Sequence, residues 1–305
     1  MSSVGVVADF HPDLTRSARL LPRSSISPVS LPVYRLIGRL MDRRAPSDVE
    51  VLRLTSGVRV RLHRAAGDTA NGPALLWIHG GGYVIGSAAQ DDAICRRFAR
   101  ELGATVAAVD YRLAPEYPYP IPLEDCYAAL AWLSQLPAVD GARVAIGGAS
   151  AGGGLAAALA LLARDRGEVS VAAQLLVYPM LDDRAASHEG IDGRHHRLWS
   201  QTSNVYGWSS YLGDADPNVA VPARNPDLGG LPPAWIGVGT NDLFHREDLA
   251  YAERLTAAGV PCEVDVVEGA YHGFDGVAPK APVSRAFFAG QVDWLRRHLA
   301  RPGTI

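Results

Sequence analysis

Gly148-Ala149-Ser150-Ala151-Gly152 lies between an apolar run that ends near Gly147 and an Ala/Leu-rich stretch from Leu155 to Arg164. A serine on so sharp a turn from strand to helix takes strained backbone angles, and side chains two residues to either side would collide with neighbouring backbone. Glycine at positions 148 and 152 removes that collision. Chance alone supplies Gly-x-Ser-x-Gly about 0.2 times in a chain of this length, so the pentapeptide carries weight only through its flanks. An apolar strand before it and a helix-forming run after it are the context a nucleophile elbow requires.

Working outward, short apolar runs recur, each bounded by glycine or proline: Ala74 to Ile78, Thr105 to Val109, Arg143 to Gly147, Ala172 to Tyr178, Ala234 to Val238 and Glu263 to Val267. Runs of this kind read as buried strands of a mainly parallel sheet. Most are separated by helical stretches, around Ala93 to Leu102, Leu123 to Leu133, Leu155 to Arg164, Leu249 to Ala258 and Arg285 to Leu299. Val49 to His63 alternates instead, which predicts a strand pair turning near Ser56-Gly57 at a half-exposed edge. The sum is an α/β fold, an eight-stranded sheet with helices on both faces. Residues 183–224, with His195, His196, Trp199, Trp208 and Tyr211, are too long for a plain connection and are assigned to a cap insertion. Residues 1–48, punctuated by Pro28, Pro32 and Pro46, supply N-terminal cap helices, and residues 49–182 and 225–305 form the core. The aromatic residues of the insertion read equally as pocket lining or as core.

Composition removes several classes of function. The chain has 305 residues, 48% hydrophobic and 20% charged, enough apolar surface for a well-filled core. A net charge of −3 offers no general attraction to polyanions, so no nucleic-acid partner is expected. Cys95, Cys126 and Cys262 are odd in number and widely spaced, which suggests neither a disulfide framework nor a metal cluster. No stretch has the length of a transmembrane segment, and the N-terminus lacks a basic segment followed by an apolar one. The expected location is the cytoplasm, with peripheral membrane association through the first fifty residues left open.

Four pieces of chemistry fall where strands end, and in open α/β sheets the carboxyl ends of the strands define the ligand crevice. Ser150, a weak nucleophile as a free alcohol, needs a positioned base. His272, in Gly269-Ala270-Tyr271-His272-Gly273-Phe274 just past the last run, is the candidate, because imidazole takes and returns a proton near neutral pH. His195, His196, His245 and His298 fall in cap or surface segments, and His11, His63 and His188 have no strand-end context. Asp242, closing Trp235-Ile236-Gly237-Val238-Gly239-Thr240-Asn241-Asp242, is the carboxylate placed to fix the imidazole tautomer, ahead of its rivals Glu247 and Asp248, which fit the start of a helix. The fourth piece is His79-Gly80-Gly81-Gly82-Tyr83, whose unobstructed N–H groups suit a developing oxyanion, joined by the N–H of Ala151 at a helix N-terminus.

These residues together resemble the hormone-sensitive-lipase-like branch of the α/β-hydrolase family, bacterial carboxylesterases and mycobacterial esterase/lipase proteins above all. The resemblance runs from about Val49 to the C-terminus. It also rests on Gly86, on Asp110-Tyr111-Arg112-Leu113-Ala114-Pro115-Glu116 and on Pro118-Tyr119-Pro120 leading into Glu124-Asp125. It implies the catalytic order Ser150, Asp242, His272, an oxyanion hole of Gly81, Gly82 and Ala151, and a loop-orienting role for His79 and Gly80. Arg112 would be held by a nearby carboxylate. The implied activity is hydrolysis of small, short- to medium-chain carboxylic esters through an acyl-enzyme, with no metal or organic cofactor. The resemblance also allows for a homodimer through the sheet edge at Glu263 to Val267. Ala149 departs from the Asp or Thr that commonly precedes the nucleophile, which bears on subfamily and substrate preference. Amides and lactones are alternative substrates for the same machinery. A non-catalytic ligand receptor on a hydrolase fold is the alternative of a different class, although the resemblance implies that the plant hormone receptors of this fold have lost the histidine that this chain keeps.

Overall fold

A computed structural model describes residues 10–23, 26–41, 46–64, 71–185 and 193–301. His188 lies outside them, as do parts of the expected cap. In chain order the elements are α1 (Thr15–Leu20), α2 (Leu31–Met41), β1 (Glu50–Arg53), β2 (Arg59–His63), β3 (Gly72–Ile78), α3 (Asp92–Leu102), β4 (Thr105–Asp110), α4 (Ile121–Ser134), β5 (Val139–Ala149), α5 (Ala151–Arg166), β6 (Ala173–Val177), α6 (Gln201–Leu212), α7 (Pro217–Ala220), β7 (Ala234–Asn241), α8 (His245–Ala257), β8 (Cys262–Tyr271), α9 (Phe274–Val277) and α10 (Pro282–His298). The strands form one sheet in the order β1-β2-β4-β3-β5-β6-β7-β8. β2 runs antiparallel to both β1 and β4, and the remaining neighbours are parallel.

Five of the six apolar runs are buried because helices cover both faces, whereas Glu263 to Val267, expected to be a buried strand, lies on the edge strand β8 with Val264 and Val266 exposed. On one face α4, α5 and α8 pack on Leu76, Ile78, Ile146, Leu176 and Ile236. On the other, α3 and α10 enclose Leu75, Trp77, Val106, Leu175 and Val238. Alternate residues of one strand therefore serve two cores, which is why β3 is apolar throughout rather than in alternation. α5 ends where Gly167 takes φ 66°, and α3 where Gly103 takes φ 59°, a conformation that suits glycine at a helix C-terminus. β5 and β8 extend beyond the apolar runs, and α5 begins at Ala151, four residues earlier than the run Leu155 to Arg164 indicated.

The N-terminal segment and residues 193–224 meet above the C-terminal ends of the strands. Ser203 Oγ donates to the Ile26 carbonyl at 3.0 Å, Leu198 N–H to Pro22 at 3.0 Å, and Arg197 Nε to Ala18 at 2.6 Å. Trp208 and Tyr211 are buried, and both rings pack on Tyr83. They belong to the core side of the two readings that the sequence left open.

One expectation is corrected. His63 does stand at a strand end, as the last residue of β2. Because β2 is antiparallel, His63 pairs with Val106 at the start of β4, at the edge of the sheet opposite to Ser150. It is fully buried, 3.4 Å from Asp92, which makes a bidentate ion pair with buried Arg61. Burial depresses the His63 pKa to about 4, against the attraction of Asp92 and with smaller contributions from Arg96, Arg61 and Asp48. The unfolded chain, with His63 near 6.5, therefore takes up a proton that the folded chain refuses as pH falls. The group's stabilisation is complete above about pH 6.5 and is lost between there and pH 4, roughly 3 kcal/mol in all. Urea denaturation across that window is expected to show a shallower pH dependence for His63→Gln than for wild type.

Candidate active site

Ser150 stands between β5 and α5 with φ 59° and ψ −123°, the strained turn expected of the motif. Local bonds hold it there. Its N–H donates to the Val177 carbonyl at 2.9 Å, and its carbonyl accepts from Met180 and Gly154, each at 3.0 Å. A Cβ on Gly148 would lie 2.6 Å from the Ile78 carbonyl oxygen, and one on Gly152 would lie 2.6 Å from that of His79. Both glycines are required by the approach of α5 to the end of β3.

His272 follows β8 directly and Asp242 follows β7 directly, so parallel neighbouring strands deliver both to the same edge of the sheet. His272 Nε2 is 2.9 Å from Ser150 Oγ, and His272 Nδ1 is 2.8 Å from Asp242 Oδ2. The other Asp242 oxygen accepts the Phe244 N–H at 3.0 Å, which aims the carboxylate. The imidazole lies edge-on between two rings, Tyr178 at 4.9 Å and Phe244 at 5.1 Å. All three polar residues are buried, Ser150 at 6% exposure and His272 at 8%.

Gly80, Gly81 and Gly82 pass over Ser150, close enough that a Cβ on Gly80 would meet Ser150 Cβ at 3.3 Å. Gly81 and Gly82 have φ 127° and 58°. Among the described residues, no acceptor takes the N–H of Gly81, Gly82 or Ala151. His79 stacks on Tyr111 with 4.2 Å between centroids, its Nδ1 lies 2.8 Å from the Gly80 carbonyl, and Tyr111 hydroxyl donates to the His79 carbonyl at 3.1 Å. The loop is braced from below by these contacts and from above by Trp199, whose ring fills the space a side chain on Gly82 would need. Arg112 makes a bidentate pair with Asp125, at 2.9 and 2.6 Å, beside this loop and away from Ser150.

The rivals of Asp242 occupy different surroundings. Glu247 and Asp248 lie in the first turn of α8, buried, and burial pushes both carboxyl groups well above their ordinary range. Glu247 accepts the N–H groups of Leu181, at 2.7 Å, and Asp182, at 3.1 Å, pinning the chain that leaves β6. Sequence reasoning missed Tyr178, Phe244 and Asp275 as neighbours of His272, although each lies within three residues of a strand end or of a site residue. Among the described residues no cluster of side chains could hold a metal ion, and no helix is long and apolar enough to cross a membrane.

A family model described as alpha/beta hydrolase fold matches residues 75–276. The chain belongs to the α/β-hydrolase family, in its hormone-sensitive-lipase-like branch. Esterase LipI of Mycobacterium tuberculosis is 37% identical to it over 237 residues, 75% of this chain and 73% of the relative. Among solved structures, a bacterial heroin esterase superposes with a TM-score of 0.85 at 37% identity, covering 96% of this chain and 98% of its own. The gibberellin receptor of Oryza sativa subsp. japonica is 32% identical over 290 residues, 79% of this chain and 81% of the receptor.

Gly152→Ala tests the close approach on which the site is built. The added Cβ meets main-chain oxygens that have no room to retreat. The variant is expected to lose about 3 kcal/mol of stability, read as a lower urea midpoint at unchanged slope.

Proposed function

We propose that this chain is a carboxylic ester hydrolase that works through an acyl-enzyme on Ser150. The observation that carries the reading is the unbroken chain from Ser150 Oγ through His272 to Asp242, at 2.9 and 2.8 Å, beside N–H groups with no acceptor. The esterase names of the relatives support the reaction class. In this mechanism His272 Nε2 removes the Ser150 proton as Oγ attacks the ester carbonyl carbon, and Asp242 stabilises the imidazolium. Negative charge grows on the carbonyl oxygen, facing the N–H groups of Gly81, Gly82 and Ala151. Donors fixed on a glycine loop and at a helix N-terminus need little reorganisation as the charge forms. The protonated histidine returns its proton to the leaving alkoxide. Water, deprotonated by the same imidazole, then attacks the acyl carbon, and Ser150 recovers its proton as the acid leaves.

Residues 1–48 and 183–224 serve in this reading as a cap over the strand ends, supported by the contacts of Ser203, Leu198 and Arg197 with the N-terminal segment. Trp199, buried against Gly82, supports a small acyl site and a preference for short to medium chains. A homodimer through β8 fits the place of that strand at the end of the sheet order, where Val264 and Val266 are exposed. Sedimentation at micromolar concentration is expected to give twice the monomer mass.

A receptor role is disfavoured by the complete proton path at His272. The decisive experiment is hydrolysis of p-nitrophenyl esters from acetate to palmitate. Shorter chains are expected to turn over fastest. Ser150→Ala and His272→Ala should each lower kcat by about 10⁶-fold, and Asp242→Asn by about 10⁴-fold. Wild-type rates in Ser150→Ala would overturn the mechanism.

A further inference from the structure

Tyr178 is the first residue after β6 and, like Ser150, a non-glycine residue with positive φ, here 35°. Strained backbone of this kind persists only where the surroundings over-determine it, and it gathers at functional sites. Three contacts hold Tyr178. Its N–H donates to the Gly237 carbonyl of β7 at 2.7 Å, its ring lies edge-on to His272, and its hydroxyl donates to Asp275 Oδ1 at 2.7 Å. Burial pushes the phenol well above its ordinary range, so the hydroxyl remains a donor. Asp275 is itself buried in the first turn of α9, and burial raises its carboxyl pKa against the opposing pull of the Tyr178 hydrogen bond.

The consequence concerns the two residues that must exchange a proton. His272 sits on the short connection between β8 and α9, which turns at Gly273 with φ 71°. Asp275 fastens that connection three residues after the imidazole, and the partner it is fastened to is Tyr178. The residue before Tyr178, Val177, accepts the Ser150 N–H. Nucleophile and base are thus both referenced to consecutive residues at the end of β6.

We propose that Tyr178 and Asp275 are positioning residues for His272: their hydroxyl–carboxylate hydrogen bond, together with the edge of the Tyr178 ring, sets the distance and tilt of the imidazole relative to Ser150. The effect on rate rests on the esterase reading, whereas the placement of the imidazole does not. Neither residue touches the reacting atoms. A misplacement of the imidazole by a fraction of an ångström penalises proton transfer and leaves ester binding intact, so the signature is a fall in kcat at constant KM.

The test compares Tyr178→Phe, which keeps the ring and removes the donor, with Asp275→Ala, Asp275→Asn and the double variant Tyr178→Phe/Asp275→Ala. Tyr178→Phe is expected to lower kcat on p-nitrophenyl acetate about tenfold, with KM within twofold. The double variant should fall no further than Asp275→Ala, since the two residues act through one bond. Asp275→Asn keeps an acceptor oxygen and should recover most of the rate that Asp275→Ala loses. In parallel, protein labelled with ¹⁵N-histidine reports the imidazole directly, through the cross-peaks of His272 Cε1–H with its two ring nitrogens, assigned by their loss in His272→Gln. These cross-peaks should move or broaden in Tyr178→Phe. Unchanged cross-peaks, or rate losses that multiply in the double variant, would overturn the proposal. If wild type hydrolyses no ester while the cross-peaks still respond, the esterase reading fails and the positioning role stands.

Discussion

The approach of α5 to the end of β3 is the constraint from which the rest of the site follows. Gly148 and Gly152 leave no side chain between the helix and the Ile78 and His79 carbonyls. The helix can then start directly at Ala151, with Ser150 raised on the turn before it. The same contact lowers the glycine loop of residues 80–82 onto the serine, so nucleophile and candidate oxyanion donors are placed by one packing event. A side chain at either glycine would force apart two main chains, and no rotamer change could relieve it.

A second close approach acts between β7 and β8. A Cβ on Gly239 would strike the main chain at Ala270, and beyond a register shift the two strands still pair at Asn241 and Tyr271, which presents Asp242 and His272 to each other. The imidazole needs both hydrogen bonds to choose one orientation, and the rings of Tyr178 and Phe244 close the remaining directions. Polar and apolar contacts have separate tasks here: the first set the tautomer, the second limit rotation. Glu247 extends this economy outward, since its carboxylate fixes the main chain after β6 through two N–H groups without entering the reaction.

Much of this was readable from residue order. Apolar runs bounded by glycine and proline marked the inner parallel strands, because a strand buried on both faces has no polar side, whereas the edge strand β8 leaves Glu263 to Val267 unburied. The elbow, the glycine loop, Asp242 and His272 stood out since each is a short local pattern at the end of such a run. His63 shows the opposite case. Its position at the end of β2 was hidden because Val49 to His63 alternates like an edge, although β2 lies between β1 and β4, and its distance from the site follows from an antiparallel pairing that no local pattern reveals. Trp208 and Tyr211 were ambiguous for a similar reason: an aromatic residue lines a pocket or fills a core according to what lies opposite, and what lies opposite is Tyr83.

Sequence alone therefore determined the class of fold and the types of reacting group, because hydrophobic periodicity and turn chemistry act over a few residues. Tertiary structure decided which groups meet. Ser150, Asp242 and His272 are separated by 92 and 30 positions in the chain, and only the parallel order of β5, β6, β7 and β8 brings them within hydrogen-bond distance. It decided as well that Tyr178 and Asp275 join behind the imidazole, since a hydrogen bond of 2.7 Å between residues 97 positions apart is a property of strand packing. Contacts of that range depend on how twisted strands and covering helices settle together, which no stretch of residues encodes by itself.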